Sequence, residues 1–126
     1  MIRNLFFVAL GSCLGGMSRY LAQHYINIYF PSRISVGTLV VNVTGCFIVG
    51  LLFAWAEKEN ALSPAARLFL ITGFCGGYTT FSAIALENIN MMRSGQLYVA
   101  IAYITLSVVL GLAATFAGIF LVKTFN

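Results

Sequence analysis

Four apolar runs, each longer than the ~18 to 20 residues that an α-helix needs to cross a hydrocarbon core, occupy nearly all of this chain. A water-soluble surface cannot be built around them. Only 8% of the 126 residues are charged and 60% are hydrophobic, against roughly 25% charged in soluble domains. The expectation is an all-α polytopic membrane protein, with residues 1–126 forming one four-helix transmembrane domain. The first run is too long for the apolar part of a cleaved secretory signal and leads into further spans.

Span one is expected over about Asn4 to Tyr29, ending at Phe30-Pro31-Ser32, where proline stops a helix. Span two covers about Ser35 to Ala56, with Trp55 at its interface and the polar connection Glu57-Lys58-Glu59-Asn60 beyond it. Span three starts after Ser63-Pro64, a capping serine followed by a proline suited to the first helical position, and runs to about Met92. Span four occupies about Leu97 to Val122, and Lys123 to Asn126 form a short polar end.

This alternation puts Arg3, Lys58, Arg67 and Lys123 on one side, and Arg33 and Arg93 on the other. A bias of four against two instructs insertion only weakly, so both orientations are expected, and with them an antiparallel homodimer. The net charge of +4 comes from singly scattered basic residues and makes no nucleic-acid patch. Cys13, Cys46 and Cys75 lack the paired spacing of a zinc site or a disulfide framework, and are read as reduced packing residues.

Small residues thread the first three spans, where helices must associate by close contact because lipid offers no hydrophobic drive. The run Thr72 to Ser82 stands apart, since paired Gly76-Gly77 and the β-branched Thr79-Thr80 weaken an uninterrupted helix. A mid-membrane break is expected there. Backbone groups freed at that depth need protein, water or an ion: carbonyls at Gly76 and Thr79 suit a hard cation, and the amides opening a second half-helix suit an anion. An intact glycine-kinked helix is the alternative.

Asn42 places a side-chain amide well inside span two, either as a donor to a desolvated anion or as an interhelical packing bond. Arg19 and Glu87 are the charges inside spans. Arg19 draws anions into a vestibule, or it snorkels or pairs with Glu87 or a helix end. Tyr103 and Ser107 lie one turn apart on span four, with Gly111 a further turn along. Phe81 offers either plain packing or a positive ring edge to an anion in the ring plane. His24 lies near a span end with no partnered nucleophile, so it reads as interfacial and not catalytic.

The set of Gly15-Gly16 with Arg19-Tyr20, Gly37-Thr38-Leu39 with Asn42 and Gly45, and Gly73-Phe74-Cys75-Gly76-Gly77 followed by Thr79-Thr80-Phe81-Ser82 and Glu87 resembles the CrcB family of Fluc-type fluoride channels along the whole chain. The resemblance implies an antiparallel dual-topology homodimer in the bacterial plasma membrane, with two fluoride pores and a structural sodium ion at the interface. By position, the sodium carbonyls come from Gly76 and Thr79 of each copy. Asn42, Phe81, Ser82, Tyr103 and Ser107 belong to the pore, and Arg19 and Thr38 to its vestibule. Ile84 departs from the pattern, which usually has a second phenylalanine three residues after the first; it would narrow the pore without offering a ring edge, and Ala83 stands where threonine is common.

Fluoride is small and strongly hydrated, so several close donors must replace its water. Asn42, Ser82, Tyr103 and Ser107 supply such donors, and passive flow is expected because the chain lacks a nucleotide-binding loop. The resemblance implies fluoride exit and hence resistance. A proton-coupled exporter of cationic drugs would need a carboxylate in span one, which has none. A purely structural subunit would need neither a broken helix nor a buried amide, and no enzyme chemistry is assembled.

Overall fold

The computed structural model describes residues 1–58 and 61–125; Glu59 and Asn60 of the polar connection, and the terminal Asn126, lie outside the described residues. The chain is all-helical, with α1 (Ile2–Tyr29), α2 (Val36–Ala56), α3 (Pro64–Arg67), a π-helical segment (Leu68–Cys75), α4 (Gly76–Tyr78), α5 (Phe81–Arg93) and α6 (Leu97–Thr124). Among the described residues four helical stretches are long and apolar enough to cross a membrane: Ile2–Tyr29, Val36–Ala56, Pro64–Arg93 and Leu97–Thr124.

The starts of these elements follow from local chemistry. Ser35 and Ser63 cap α2 and α3, their hydroxyls accepting from the amides of Thr38 (3.3 Å) and Ala66 (3.1 Å), and Pro64 takes the first turn, where its missing N–H costs nothing. Gly95, with φ 81°, makes the left-handed turn between α5 and α6. Arg67 donates to the carbonyl of Ala56, tying α3 to the end of α2.

Burial is inverted relative to a soluble protein. Thr38, Asn42, Asn88 and Ser107 are buried, whereas Leu10, Leu14, Leu112, Phe116 and Phe120 face outward. Such an outer surface is stable against lipid tails, and the helices must then cohere through close backbone approach and internal hydrogen bonds. α1 lies along the π-helical segment and α4, and α2 lies along α6. At the first interface Gly77 meets Ser12: a Cβ there would stand 2.6 Å from the Ser12 carbonyl oxygen. At the second, a Cβ on Gly118 would reach within 2.9 Å of the Leu51 amide nitrogen. Cys75 is buried and Cys46 partly so, but Cys13 faces outward, so only the first two pack as the spacing argument expected.

Thr79 (φ −88°, ψ 155°) and Thr80 (φ −150°, ψ 118°) are extended and separate α4 from α5. The paired glycines themselves are helical, Gly76 with φ −62° and ψ −37°. The extension falls on the threonines because β-branched side chains favour extended backbone, while Gly77 is held in the helix by its contact with Ser12. The π winding of Leu68–Cys75 has no cue in the sequence, which read as ordinary α-helix; such wide turns are rare and are frequent near functional sites.

Candidate functional site

Asn42 organises the extended pair. Its Oδ1 accepts from the Thr80 amide at 2.7 Å and its Nδ2 donates to the Thr80 carbonyl at 3.0 Å, so one side chain satisfies both main-chain groups of a residue that has left helix geometry. The Thr80 hydroxyl in turn accepts from the Ala83 amide at 3.2 Å and caps α5.

These bonds divert donors. In a continuous helix the Thr80 N–H would bond the Gly76 carbonyl, and the Ala83 N–H would bond the Thr79 carbonyl. Here they go to Asn42 and to the Thr80 hydroxyl, which deprives Gly76 and Thr79 of their helical partners. The Thr79 amide and hydroxyl both return to the Cys75 carbonyl, at 3.0 and 2.9 Å. Gly76 is exposed, and a Cβ on it would meet nothing within 4 Å. Two freed carbonyls in hard-oxygen chemistry fit a small hard cation such as sodium.

Beside the extended pair lies a cleft of about 320 Å³, lined by Asn42, Thr79, Thr80, Phe81, Ile84 and Ser107, with Cys46, Gly111 and Thr115 along its wall. Phe81 is 74% exposed and Ile84 is 7% exposed. Ser107 donates to the Tyr103 carbonyl at 2.7 Å, and its oxygen stays available to the cleft. The second N–H of Asn42 is not used by Thr80, and the Phe81 and Ser82 amides open α5 with no helical partner, a positive helix end at the cleft.

The structure does not gather every expected residue there. Ser82 is exposed and pairs with the Thr80 hydroxyl at 3.2 Å. Tyr103, only 1% exposed, donates its hydroxyl proton to Glu87 Oε2 at 2.6 Å. Thr38 donates to Glu87 Oε1 at 2.7 Å. Arg19 reaches the Gly77 carbonyl at 3.3 Å, near the negative C-terminal end of α4, and not Glu87; of the pairings expected for it, the helix end is the one it makes. His24 stacks on Tyr20 with ring centroids 6.1 Å apart and, away from the cleft, borders a pocket that Thr38 and Glu87 also line.

Tyr103, Thr38 and Arg19 therefore form a second group, joined by Glu87 and by Gln23, which sequence reasoning passed over. Gln23 accepts from Arg19 at 3.4 Å and donates to Thr38 at 2.9 Å. A signal for it existed: it follows Arg19 by four residues on one helix face and is itself an amide in an apolar run. The two groups are adjacent, because Glu87 follows Ile84 by one turn of α5 and Tyr103 precedes Ser107 by one turn of α6.

The family model described as CrcB-like protein, Camphor Resistance (CrcB), matches residues 6–119. A fluoride-specific ion channel of Flavobacterium psychrophilum is 48% identical over 97% of this chain and 98% of its own length. Proteins of the same description from Gloeothece citriformis (42% identical, 95% of this chain, 97% of its own length) and Campylobacter jejuni (40%, 98% and 100%) are also similar. The relatives are named as channels and not as enzymes, and the chain is a multi-pass membrane protein. With nearly its whole length matched by that family model, the chain belongs to the CrcB family.

Proposed function

We propose that the chain conducts fluoride passively across the membrane and lets it leave the cell, working as an antiparallel homodimer with two pores and a structural sodium ion between the copies. The observation that carries this reading is the cleft at the extended threonines, with converging N–H and O–H donors, in a chain 48% identical to a protein named a fluoride-specific ion channel.

A fluoride ion entering the cleft gives up water, and its replacement partners are the free N–H of Asn42, the amides opening α5 and the Ser107 hydroxyl. Ser107 must turn from the Tyr103 carbonyl to do so, which is favourable because hydrogen bonds to an ion are roughly twice as strong as neutral ones. The ring edge of Phe81 adds attraction in the ring plane. Ile84 narrows the cleft but adds none. Tyr103 donates to the anion only by leaving Glu87, and Ser82 only by turning from Thr80.

On this reading the extended pair lies at membrane depth, where its backbone is tolerated only beside protein or an aqueous cavity. Sodium is assigned to the Gly76 and Thr79 carbonyls of both copies, and the diverted donors support that assignment. A second copy is supported by the open face at Gly76 and by the outward hydroxyl pair of Thr44 and Tyr78 at 3.0 Å, which lipid would leave poorly solvated.

The test is fluoride efflux from liposomes, followed with an electrode and with chloride as control. Rapid, fluoride-selective efflux is expected, and a purified dimer that moves no fluoride overturns the reading. Efflux and dimer content unchanged after complete sodium removal would remove the ion from it.

A further inference from the structure

Next to the cleft runs a hydrogen-bonded chain whose direction is set from one end. Arg19 Nη1 only donates, so the Gln23 atom facing it at 3.4 Å is Oε1, and Nε2 is turned to the Thr38 hydroxyl at 2.9 Å. Glu87, as carboxylate, only accepts, and it takes the Thr38 proton at 2.7 Å and the Tyr103 proton at 2.6 Å. Thr38 has one proton to give. Its other neighbours are Ser35 Oγ at 2.9 Å, a hydroxyl able to donate or accept, and the Tyr103 hydroxyl, whose own proton goes to Glu87. With a donor on one side and a carboxylate on the other, the Thr38 O–H points to Glu87.

Backbone packing keeps Gln23 in place for this. A Cβ on Gly37 would stand 2.7 Å from the Gln23 carbonyl oxygen, so only glycine lets α1 approach α2 here, and the Gly37 amide donates to Asn27 Oδ1 at 2.8 Å. Thr38 is 1% exposed, and its partners Gln23 and Glu87 are half-buried beside a pocket of about 250 Å³.

We propose that Gln23 is a positioning residue for anion passage: its N–H fills the acceptor side of the Thr38 hydroxyl, strengthens that hydroxyl's bond to Glu87 and thereby holds the Glu87 carboxylate between Thr38 and Tyr103, one helical turn from the cleft. The proposal rests on the anion-channel reading above. Without the Gln23 N–H, the Thr38 hydroxyl is less polarised and its oxygen is open to the Ser35 hydroxyl, so its bond to Glu87 Oε1 weakens. A carboxylate held less firmly by Thr38 is screened less and competes for the donors that an anion in the neighbouring cleft needs, among them Ser107, one turn from Tyr103.

Gln23→Met removes the amide at similar length, and Thr38→Val removes the hydroxyl at similar shape. In proteoliposomes Gln23→Met should slow fluoride efflux about tenfold, the size of a mid-range coupling within one hydrogen-bonded network, and should cause no further loss on the Thr38→Val background. A merely structural Gln23 would slow both backgrounds by the same factor, and that result, or unchanged efflux in Gln23→Met, overturns the proposal. The carboxyl carbon signal of Glu87, read by solid-state NMR in bilayers, supplies a measurement that does not need flux. It should shift in Gln23→Met although Gln23 does not touch Glu87, and an unmoved signal overturns the proposal even if Thr38→Val stops conduction. A parent protein that carries no fluoride refutes the channel reading instead, and the Glu87 signal still decides whether the chain transmits.

Discussion

Replacing Asn42 by leucine, similar in size but without polar atoms, isolates what the buried amide does. The parent side chain is 8% exposed and makes bonds of 2.7 and 3.0 Å to the two polar groups of Thr80. Leucine leaves both without a partner, at about 1 to 3 kcal/mol each by the cost of orphaned buried groups. In the membrane-unfolded state the third span can wind continuously and satisfy Thr80 by itself, so this cost falls on the folded state alone. Measured side-chain bonds in membrane proteins average about 0.6 kcal/mol, reaching about 1.7, which pulls the expectation toward the lower end. Leucine gains nothing by its own burial, since lipid is equally apolar. A loss of about 2 to 4 kcal/mol is expected, read from reversible unfolding in mixed detergent micelles, with fluoride efflux abolished in parallel. An unfolding free energy within about 0.5 kcal/mol of the parent, together with parental efflux, refutes the assignment of Asn42 to Thr80 and to the cleft.

Neighbouring glycines should behave oppositely. Gly77→Ala forces a Cβ to 2.6 Å from the Ser12 carbonyl oxygen and should destabilise the fold by about 1 to 3 kcal/mol. Gly76→Ala meets nothing within the chain, so a stable fold with weakened self-association in size-exclusion chromatography is expected; unaltered dimer content would place Gly76 away from the partner. Tyr103→Phe removes the 2.6 Å donor to Glu87 and should cost about 1 to 3 kcal/mol by leaving a carboxylate oxygen unpaired; an unchanged unfolding midpoint would show that Glu87 does not depend on it. Ile84→Phe adds a ring edge beside the cleft and should raise efflux over the parent, whereas equal or slower efflux would show that the aliphatic side chain is not limiting.

Much of the architecture was legible before any coordinates. The spans follow from summed local hydropathy, and their starts from Ser35, Ser63 and Pro64, because capping is a matter of three or four consecutive residues. Part of the motif from Gly73 to Ser82 borders the cleft, and Asn42, Phe81, Ile84 and Ser107 line it together. The finer assignment within the motif was not legible. Both paired glycines and paired threonines weaken a helix, and the choice of Thr79 and Thr80 for the extension depends on Gly77 being pressed against Ser12, a residue 65 positions earlier in the numbering.

Tyr103 is the clearest case of the same limit. Its spacing put it on one face with Ser107, and both are buried on α6. Helical periodicity gives a direction but not a partner, and the hydroxyl goes to Glu87 on another helix. Gln23 went unnoticed for that reason too, since its role exists only in the company of Arg19, Thr38 and Glu87.

The sequence by itself determined a four-span, all-helical membrane chain and the family motifs it carries, since both are local properties of composition and spacing. Which carbonyls lose their donors, where the single proton of Thr38 points and which residues share the cleft were decided by tertiary structure. Each depends on hydrogen-bond partners 15 to 49 residues apart, and a polar group buried in an apolar medium takes whatever partner the packing brings within reach.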